Sequence, residues 1–140
     1  MSSVNLEYYD EWSKDKQFLS DVLEMLDNVL QTFINNAPDS ISRAKFSAMR
    51  ERSVGVGALG FHAYLQSKGV PFESAIAKSL NMRMFKHIRT ELDAANSKLG
   101  EERGEAPDAQ GTGLLCSHIM AIAPNPSSSI IMGNTSPSIE

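Results

Sequence analysis

The sequence has little of what several classes of protein require. It contains one cysteine, Cys116, among 140 residues, which excludes an internal disulfide framework and a multi-cysteine metal site. No run of about 18 apolar residues occurs, so no transmembrane helix is expected. The N-terminal stretch MSSVNLEYYDEW is polar and acidic, unlike a secretory signal. We therefore expect a reducing, cytoplasmic location.

Basic residues are also too few for two kinds of partner. The formal net charge is −4, which argues against general binding to nucleic acid or to an anionic membrane. His62 and His87 lie 25 positions apart with no third ligand near them, so no metal site is expected. The hydrophobic content of 41% and charged content of 21% are typical of one globular domain or of a segment cut from a larger one.

Hydrophobic periodicity predicts four helices, over about 15–36, 42–51, 60–67 and 73–99. In the first helix, Met25 and Ile34 widen the apolar face, so burial on more than one side is expected. The longest helix carries a single apolar stripe, and Gly100 stands where a C-terminal cap belongs. The stripe consists of Ile76, Leu80, Met84, Ile88, Leu92, Ala95 and Leu99.

Two short apolar runs predict strands. Residues 53–59 read as a short buried strand or extended segment, and His118–Ala123 as a second buried strand. Between the long helix and this second strand, residues 100–113 form a polar linker without an apolar anchor. Helices that alternate with short buried strands predict an α/β fold.

A glycine pattern at residues 55–60, GVGALG, matches the GxGxxG of dinucleotide-binding turns. Such a turn needs a strand before it and, about 20 positions on, an acidic residue after a second strand. The preceding residues SAMRER are polar and helical, and residues 75–77 fall inside the predicted long helix. We therefore interpret the glycines as allowing close backbone packing beside a strand. A Rossmann-type cofactor binder stays a minor alternative.

Three stretches resemble one family. Residues 121–140, AIAPNPSSSIIMGNTSPSIE, combine an apolar run, a proline-bounded turn, three serines and a second turn. This order resembles the phosphate-binding segment of the large (alpha) subunit of class I ribonucleotide reductase. Residues 51–69, ERSVGVGALGFHAYLQSKG, resemble a second pattern of that subunit, and residues 3–6, SVNL, resemble the end of a third. The matches keep their order and spacing along the chain.

The resemblance implies a fragment of the ten-stranded α/β barrel of that subunit, helix-rich with short buried strands. It implies a part in the radical-based reduction of ribonucleoside diphosphates to deoxyribonucleotides for DNA synthesis. The family's catalytic cysteines fall outside the matched residues, so this chain alone is expected to be inactive. The implied partners are the rest of the alpha chain or a complementary fragment, an alpha homodimer, and a metal-containing beta subunit that generates the radical. Thioredoxin or glutaredoxin is the implied reductant, and no cofactor is expected in this segment itself.

The same resemblance implies a substrate-phosphate site at four residues, Asn125, Ser127, Ser128 and Ser129. We expect a helix over Ser127–Met132, since free N–H groups at a helix N-terminus bind anions. Pro126 has no N–H, so the N–H groups of Asn125, Ser127 and Ser128 are expected to make the contact. A serine-capped helix without a ligand is the plain structural alternative.

One part of the sequence departs from the family pattern. Leu115 and Cys116 stand where family members usually have Arg-Asn. We interpret Cys116 as a small buried residue and His118 as structural.

A different functional hypothesis is a standalone helical interaction module whose stripe from Ile76 to Leu99 docks a partner helix. The fragment hypothesis predicts instability in isolation, because the barrel strands would lack neighbours and expose their edges.

Overall fold

The computed structural model describes all 140 residues. Its elements, in chain order, are strand β1 (Ser2–Asn5), helices α1 (Tyr9–Trp12), α2 (Phe18–Asn36) and α3 (Ser42–Glu51), strand β2 (Val56–Leu59), and helices α4 (Phe61–Ser67), α5 (Ala75–Arg103) and α6 (Pro126–Ile131). Short 3-10 turns lie at Leu6–Tyr8, Asp39–Ile41 and Pro107–Ala109. No helix is both long enough and apolar enough to cross a membrane.

The sheet has two parallel strands, β1 and β2, in a register that places Ser2 opposite Val56 and Asn5 opposite Leu59. The predicted strand over 118–123 is wrong as a strand, because this segment makes only one parallel bridge, from Met120 to Val56. The last backbone bond of this segment to β2 runs from the Ala121 N–H to the Val56 carbonyl at 3.3 Å. The Ala121 carbonyl oxygen lies against Gly57, 2.5 Å from where a Cβ would stand.

Helix α2 begins three residues later than predicted and is buried on one side only. Asp15 ends the preceding turn, since its carboxylate accepts the Gln17 N–H at 2.9 Å. Of the two residues expected to widen the apolar face, Ile34 is buried but Met25 is half exposed, as is Val29 near it. The buried residues of α2 share one side, so the expected burial on more than one side is wrong. Within this chain, α3 and α5 both pack against α2.

Helix α5 runs past its predicted end and spans 29 residues, or about 43 Å. Gly100 is an interior residue of α5 rather than its cap, and the helix ends at Gly104, which has φ +87°. Position 100 has no room for a side chain, because a Cβ there would lie 2.3 Å from the carbonyl oxygen of Gly113. The linker prediction is corrected as well, since residues 100–103 are helical and Ala106 and Ala109 are buried anchors of the following loop.

One hydrophobic core joins α2, α5 and the sheet. The apolar stripe of α5 supplies five of its residues, Met84, Ile88, Leu92, Ala95 and Leu99. Leu19, Leu23 and Leu26 of α2 face them, and the sheet adds Val4, Val56 and Ala58. The sheet therefore lies on a helical layer on one side and carries polar groups on the other.

A buried carboxylate fixes α2, α3 and α5 to one another. Asp27 is 1% exposed and accepts from the Nε and Nη2 of Arg52 at 2.9 and 2.6 Å. Its second oxygen accepts from the Nη1 of Arg103 at 2.6 Å. Arg52 also donates to Gln31, and Arg103 donates to Asn28 and to the Glu24 carboxylate. We call these six side chains the Asp27 junction.

Candidate phosphate-binding loop

The candidate site lies over the polar face of β1. Ser3 and Asn5 are two positions apart on the strand, so both side chains point to the same face. The Ser3 hydroxyl donates to Asn125 Oδ1 at 3.3 Å, and the Asn5 amide donates to the Met132 carbonyl at 3.4 Å. These two contacts hold residues 124–132, here called the phosphate loop, along the strand.

Helix α6 begins one residue earlier than predicted, at Pro126, and ends at Ile131. Proline suits the first helical position, because it has no N–H and its φ is already helical. The first intrahelical bond runs from the Ser129 N–H to the Asn125 carbonyl at 2.9 Å. The N–H groups of Ser127 and Ser128 have no acceptor within the protein, and both residues are exposed.

Asn125 and Ser129 have different surroundings from these two serines. The Asn125 N–H, expected to be free, donates to the Pro137 carbonyl at 2.9 Å, and its side-chain amide donates to the Ala123 carbonyl at 2.6 Å. Ser129 is buried, and its hydroxyl donates to the Pro126 carbonyl at 2.8 Å. Of the four predicted residues, Ser127 and Ser128 alone offer unused donors to solvent through their backbone.

The residues that follow the loop also shape it, and the sequence does not reveal them. Ser136 serves as the missing cap of α4: its hydroxyl accepts the Ala63 N–H at 3.3 Å, and its carbonyl accepts the Gly60 N–H at 2.8 Å. Gly60 itself has no side chain to cap the helix and adopts φ +79°. The Thr135 hydroxyl is buried beside it without a partner. No local pattern in the sequence links residues so far apart.

Cys116 lies away from the loop and is fully buried, which confirms the interpretation of a small buried residue. Burial raises the pKa of its thiol to about 12, so almost no nucleophilic thiolate is present near neutral pH. Asn96 fixes this segment, since its side chain accepts the Cys116 N–H at 2.8 Å and donates to the Cys116 carbonyl at 2.9 Å. Leu115 is buried as well, so these two residues complete the core.

His118 and its neighbours form a separate polar cluster. The Oγ atoms of Ser53 and Ser117 both lie 3.2 Å from His118 Nδ1, and Ser53 also donates to the Glu51 carboxylate at 3.1 Å. The structure holds no group of three or more His, Cys, Asp or Glu side chains placed to hold a metal ion.

Two alternative functions lose their structural basis. A Cβ on Gly57 would lie 2.5 Å from the Ala121 carbonyl oxygen, so this glycine allows close backbone packing, as interpreted from the sequence, and its open face is already occupied. Of the predicted docking stripe from Ile76 to Leu99, the part from Met84 onward is buried within the chain and is not free to dock a partner helix. Ile76, at its start, is exposed, and Leu80 is partly buried.

Comparisons with known proteins agree with one another. The family described as "Ribonucleotide reductase, barrel domain" matches residues 1–112. The chain is 56% and 54% identical, over 140 residues, to the ribonucleoside-diphosphate reductase large subunits of Invertebrate iridescent virus 3 and Invertebrate iridescent virus 6. Both matches take in 100% of this chain, but only 22% and 15% of those relatives.

A solved structure gives the same result. The alpha subunit of the Actinobacillus ureae class Id ribonucleotide reductase superposes with a TM-score of 0.94 at 36% identity. The match covers 99% of this chain and 27% of the other. The chain thus spans less than a quarter of either viral relative's length and closely follows the corresponding part of a known alpha subunit.

Proposed function

Because the chain belongs to the ribonucleotide reductase barrel-domain family, we propose that it forms part of a ribonucleoside-diphosphate reductase large subunit. Its segment contributes part of the barrel wall and the phosphate loop, which binds the diphosphate of the ribonucleotide substrate. The complete enzyme reduces the ribose of that substrate to deoxyribose. We propose this substrate, this activity and these partners because relatives 56% and 54% identical to the chain are ribonucleoside-diphosphate reductase large subunits.

The observation that carries the phosphate site is the pair of unpaired N–H groups on Ser127 and Ser128. Adjacent donors at the start of a helix converge on one point in solvent, where they can bind phosphate oxygens. The hydroxyls of the same two serines lie beside them and are exposed. Asn125 and Ser129 belong to the proposed site through the loop geometry that they hold. The short helix contributes little dipole, so the N–H groups themselves supply most of the attraction.

The redox chemistry comes from outside this segment. The chain's one thiol, Cys116, is 0% exposed and so is closed to a substrate. Its raised pKa disfavours the thiolate that a reducing cysteine uses. In the proposed enzyme a separate metal-containing beta subunit generates the radical. Thioredoxin or glutaredoxin restores the thiols, and the alpha chain forms a homodimer.

The test replaces Ser128 by two side chains of nearly equal shape in the complete reductase. Ser128→Asp places a negative charge beside the bound diphosphate, whereas Ser128→Asn does not. Asp in the first turn of a helix stabilises the helix, so weaker binding by Ser128→Asp would not result from unfolding of α6. We expect Ser128→Asp to raise the KM for a ribonucleoside diphosphate about 10- to 100-fold, from like-charge repulsion at a partly screened site.

The matched variant Ser128→Asn should change this KM less than about threefold, because the backbone N–H is retained. Steady-state reduction of CDP, with circular dichroism of both variants, supplies the measurement. Equal KM values for the two variants would show that no diphosphate lies at this position.

A further inference from the structure

We propose that Asn125 is a positioning residue: it fixes the free N–H groups of Ser127 and Ser128 relative to β1 and does not itself bind phosphate. This inference rests on the proposed function of the phosphate loop. It assigns to Asn125 a role different from that of the two serines, although all belong to one sequence motif.

Each polar atom of Asn125 already has a protein partner. Its N–H donates to Pro137, its carbonyl accepts from Ser129, its Nδ2 donates to Ala123, and its Oδ1 accepts from Ser3. These partners lie before the loop, within it, after it and on β1. The side chain makes two of these four contacts, with Ala123 and Ser3, and the backbone makes the other two. The side chain therefore fixes the turn relative to β1 and to the residue before the loop, because moving it would break both contacts at once.

The hydrogen bond from Ser3 to Asn125 fixes the position of the phosphate loop relative to β1. Ser3 stands opposite Gly57 in the register of the sheet, and a Cβ on Gly57 would come 3.0 Å from the Ser3 hydroxyl. The absence of that Cβ leaves the hydroxyl free to reach Asn125. At the far end of α6, Asn5 makes the second contact, with Met132. The short helix is therefore held at both ends by one face of one strand.

Loss of the Asn125 side chain leaves the Ser3 hydroxyl and the Ala123 carbonyl without their partners. The two N–H groups would then sample several positions, and a diphosphate would have to select the one that fits. Such a loss lowers affinity for the substrate and has little effect on the reaction of substrate once bound. If Asn125 bound phosphate directly, its removal would lower the affinity for the substrate by the same factor with or without the Ser3 hydroxyl.

The experiment is a double-mutant cycle in the complete reductase, with Asn125→Ala, Ser3→Ala and both together. We expect Asn125→Ala to raise the KM for CDP about 5- to 20-fold and Ser3→Ala about two- to fivefold, with kcat changed less than about threefold. The double variant should match Asn125→Ala alone, because the two residues act through one contact. Ser3→Ala removes a single hydroxyl from a strand, so it tests the role even if Asn125→Ala does not fold.

Three outcomes separate this inference from the proposed function. If the KM effects of the two single variants multiply in the double variant, Asn125 acts independently of Ser3 and the positioning role is overturned. An unchanged KM in both single variants overturns it as well, provided that Ser128→Asp and Ser128→Asn still differ. If those two variants do not differ, the proposed phosphate site itself fails.

Discussion

The Asp27 junction and the phosphate loop treat their polar groups in opposite ways. At the junction, a carboxylate that is 1% exposed accepts from two guanidinium groups, which also donate to Gln31, Asn28 and the Glu24 carboxylate. In the loop, the N–H groups of two adjacent serines face solvent with no acceptor. A polar cluster whose groups bond to one another holds the fold, whereas one with unused donors is available to a ligand.

The largest effect is expected where the closed cluster is broken. Asp27→Ala leaves the Arg52 guanidinium, 15% exposed, without its only carboxylate partner. Arg103 loses its buried partner as well and keeps only the exposed Glu24 carboxylate. Removing one partner of a buried ion pair costs about 3–5 kcal/mol, because the other charge stays desolvated. Urea denaturation followed by circular dichroism should show this loss in the free energy of unfolding.

The matched control is Asp93→Ala, which removes a carboxylate from an exposed pair with Arg89 on α5. That change should cost less than about 0.5 kcal/mol. If the two variants lost equal stability, the Asp27 junction would not hold the three helices together. Under conditions where both are folded, Asp27→Ala and Asp93→Ala should have the same affinity for a ribonucleoside diphosphate.

An intermediate effect is expected at Gly57, which connects the scaffold to the loop. In Gly57→Ala the new Cβ would meet the Ala121 backbone oxygen at 2.5 Å, so the segment that leads into the loop must move. Such overpacking costs about 1–3 kcal/mol. It should also weaken CDP binding, because Ser3 lies against the same glycine.

Gly55→Ala is the control for this variant, measured by the same denaturation and by the KM for CDP. Its Cβ would meet Met1 and the Ala121 Cβ at 2.9 Å. The flexible Met1 can yield and Ala121 must shift, but by less than at Gly57, where the contact is with a backbone oxygen at 2.5 Å. A smaller effect on both quantities is therefore expected. Equal effects would mean that the close approach of the Ala121 backbone does not matter.

The smallest effect concerns a second set of backbone donors, which the chain fills itself. In the loop after α5, the Glu105 carboxylate accepts the N–H groups of Gly111 and Gly113. These bonds lower the pKa of Glu105 below its usual 4.5. The folded loop therefore gains stability from the ionised carboxylate above about pH 4.5, and loses it as the pH falls through the lowered pKa.

The amide NMR signals of Gly111 and Gly113 should shift together as the pH falls from 5 to about 2. Their midpoint should lie below 4.5, the usual pKa of a glutamate side chain. The variant Glu105→Gln should abolish this titration. A midpoint at or above 4.5 would contradict the bonding of the carboxylate to these amides.

Periodicity in the sequence predicted α2 to α5 but not the short helix α1 or the strand β1. The predicted α/β barrel fragment is confirmed by the family match and by the likeness to a known alpha subunit. Helix α3 has the predicted bounds, Ser42–Glu51. Gly100 misled the prediction for α5, because a glycine near the end of an apolar stripe looks the same whether it caps a helix or packs against a loop. Distinguishing the two requires the position of Gly113, which only the folded chain supplies.

Polar contacts were the part that sequence reasoning missed. The partners of Asp27 lie 25 and 76 positions away, at Arg52 and Arg103, and no local spacing joins them. For the loop, residue types alone indicated three N–H donors. The fold uses that of Asn125 in a bond to Pro137, so two remain.

The contacts that hold the phosphate loop also bear on the order in which the segment folds. They join Ser3 to Asn125 and Asn5 to Met132, 122 and 127 positions apart. Closing so long a loop costs entropy that a single helix does not pay, so local helices form first and distant pairs later. The N–H pair of Ser127 and Ser128 therefore comes into place only when both extremities of the segment have met, and anion binding would report completed folding rather than helix content.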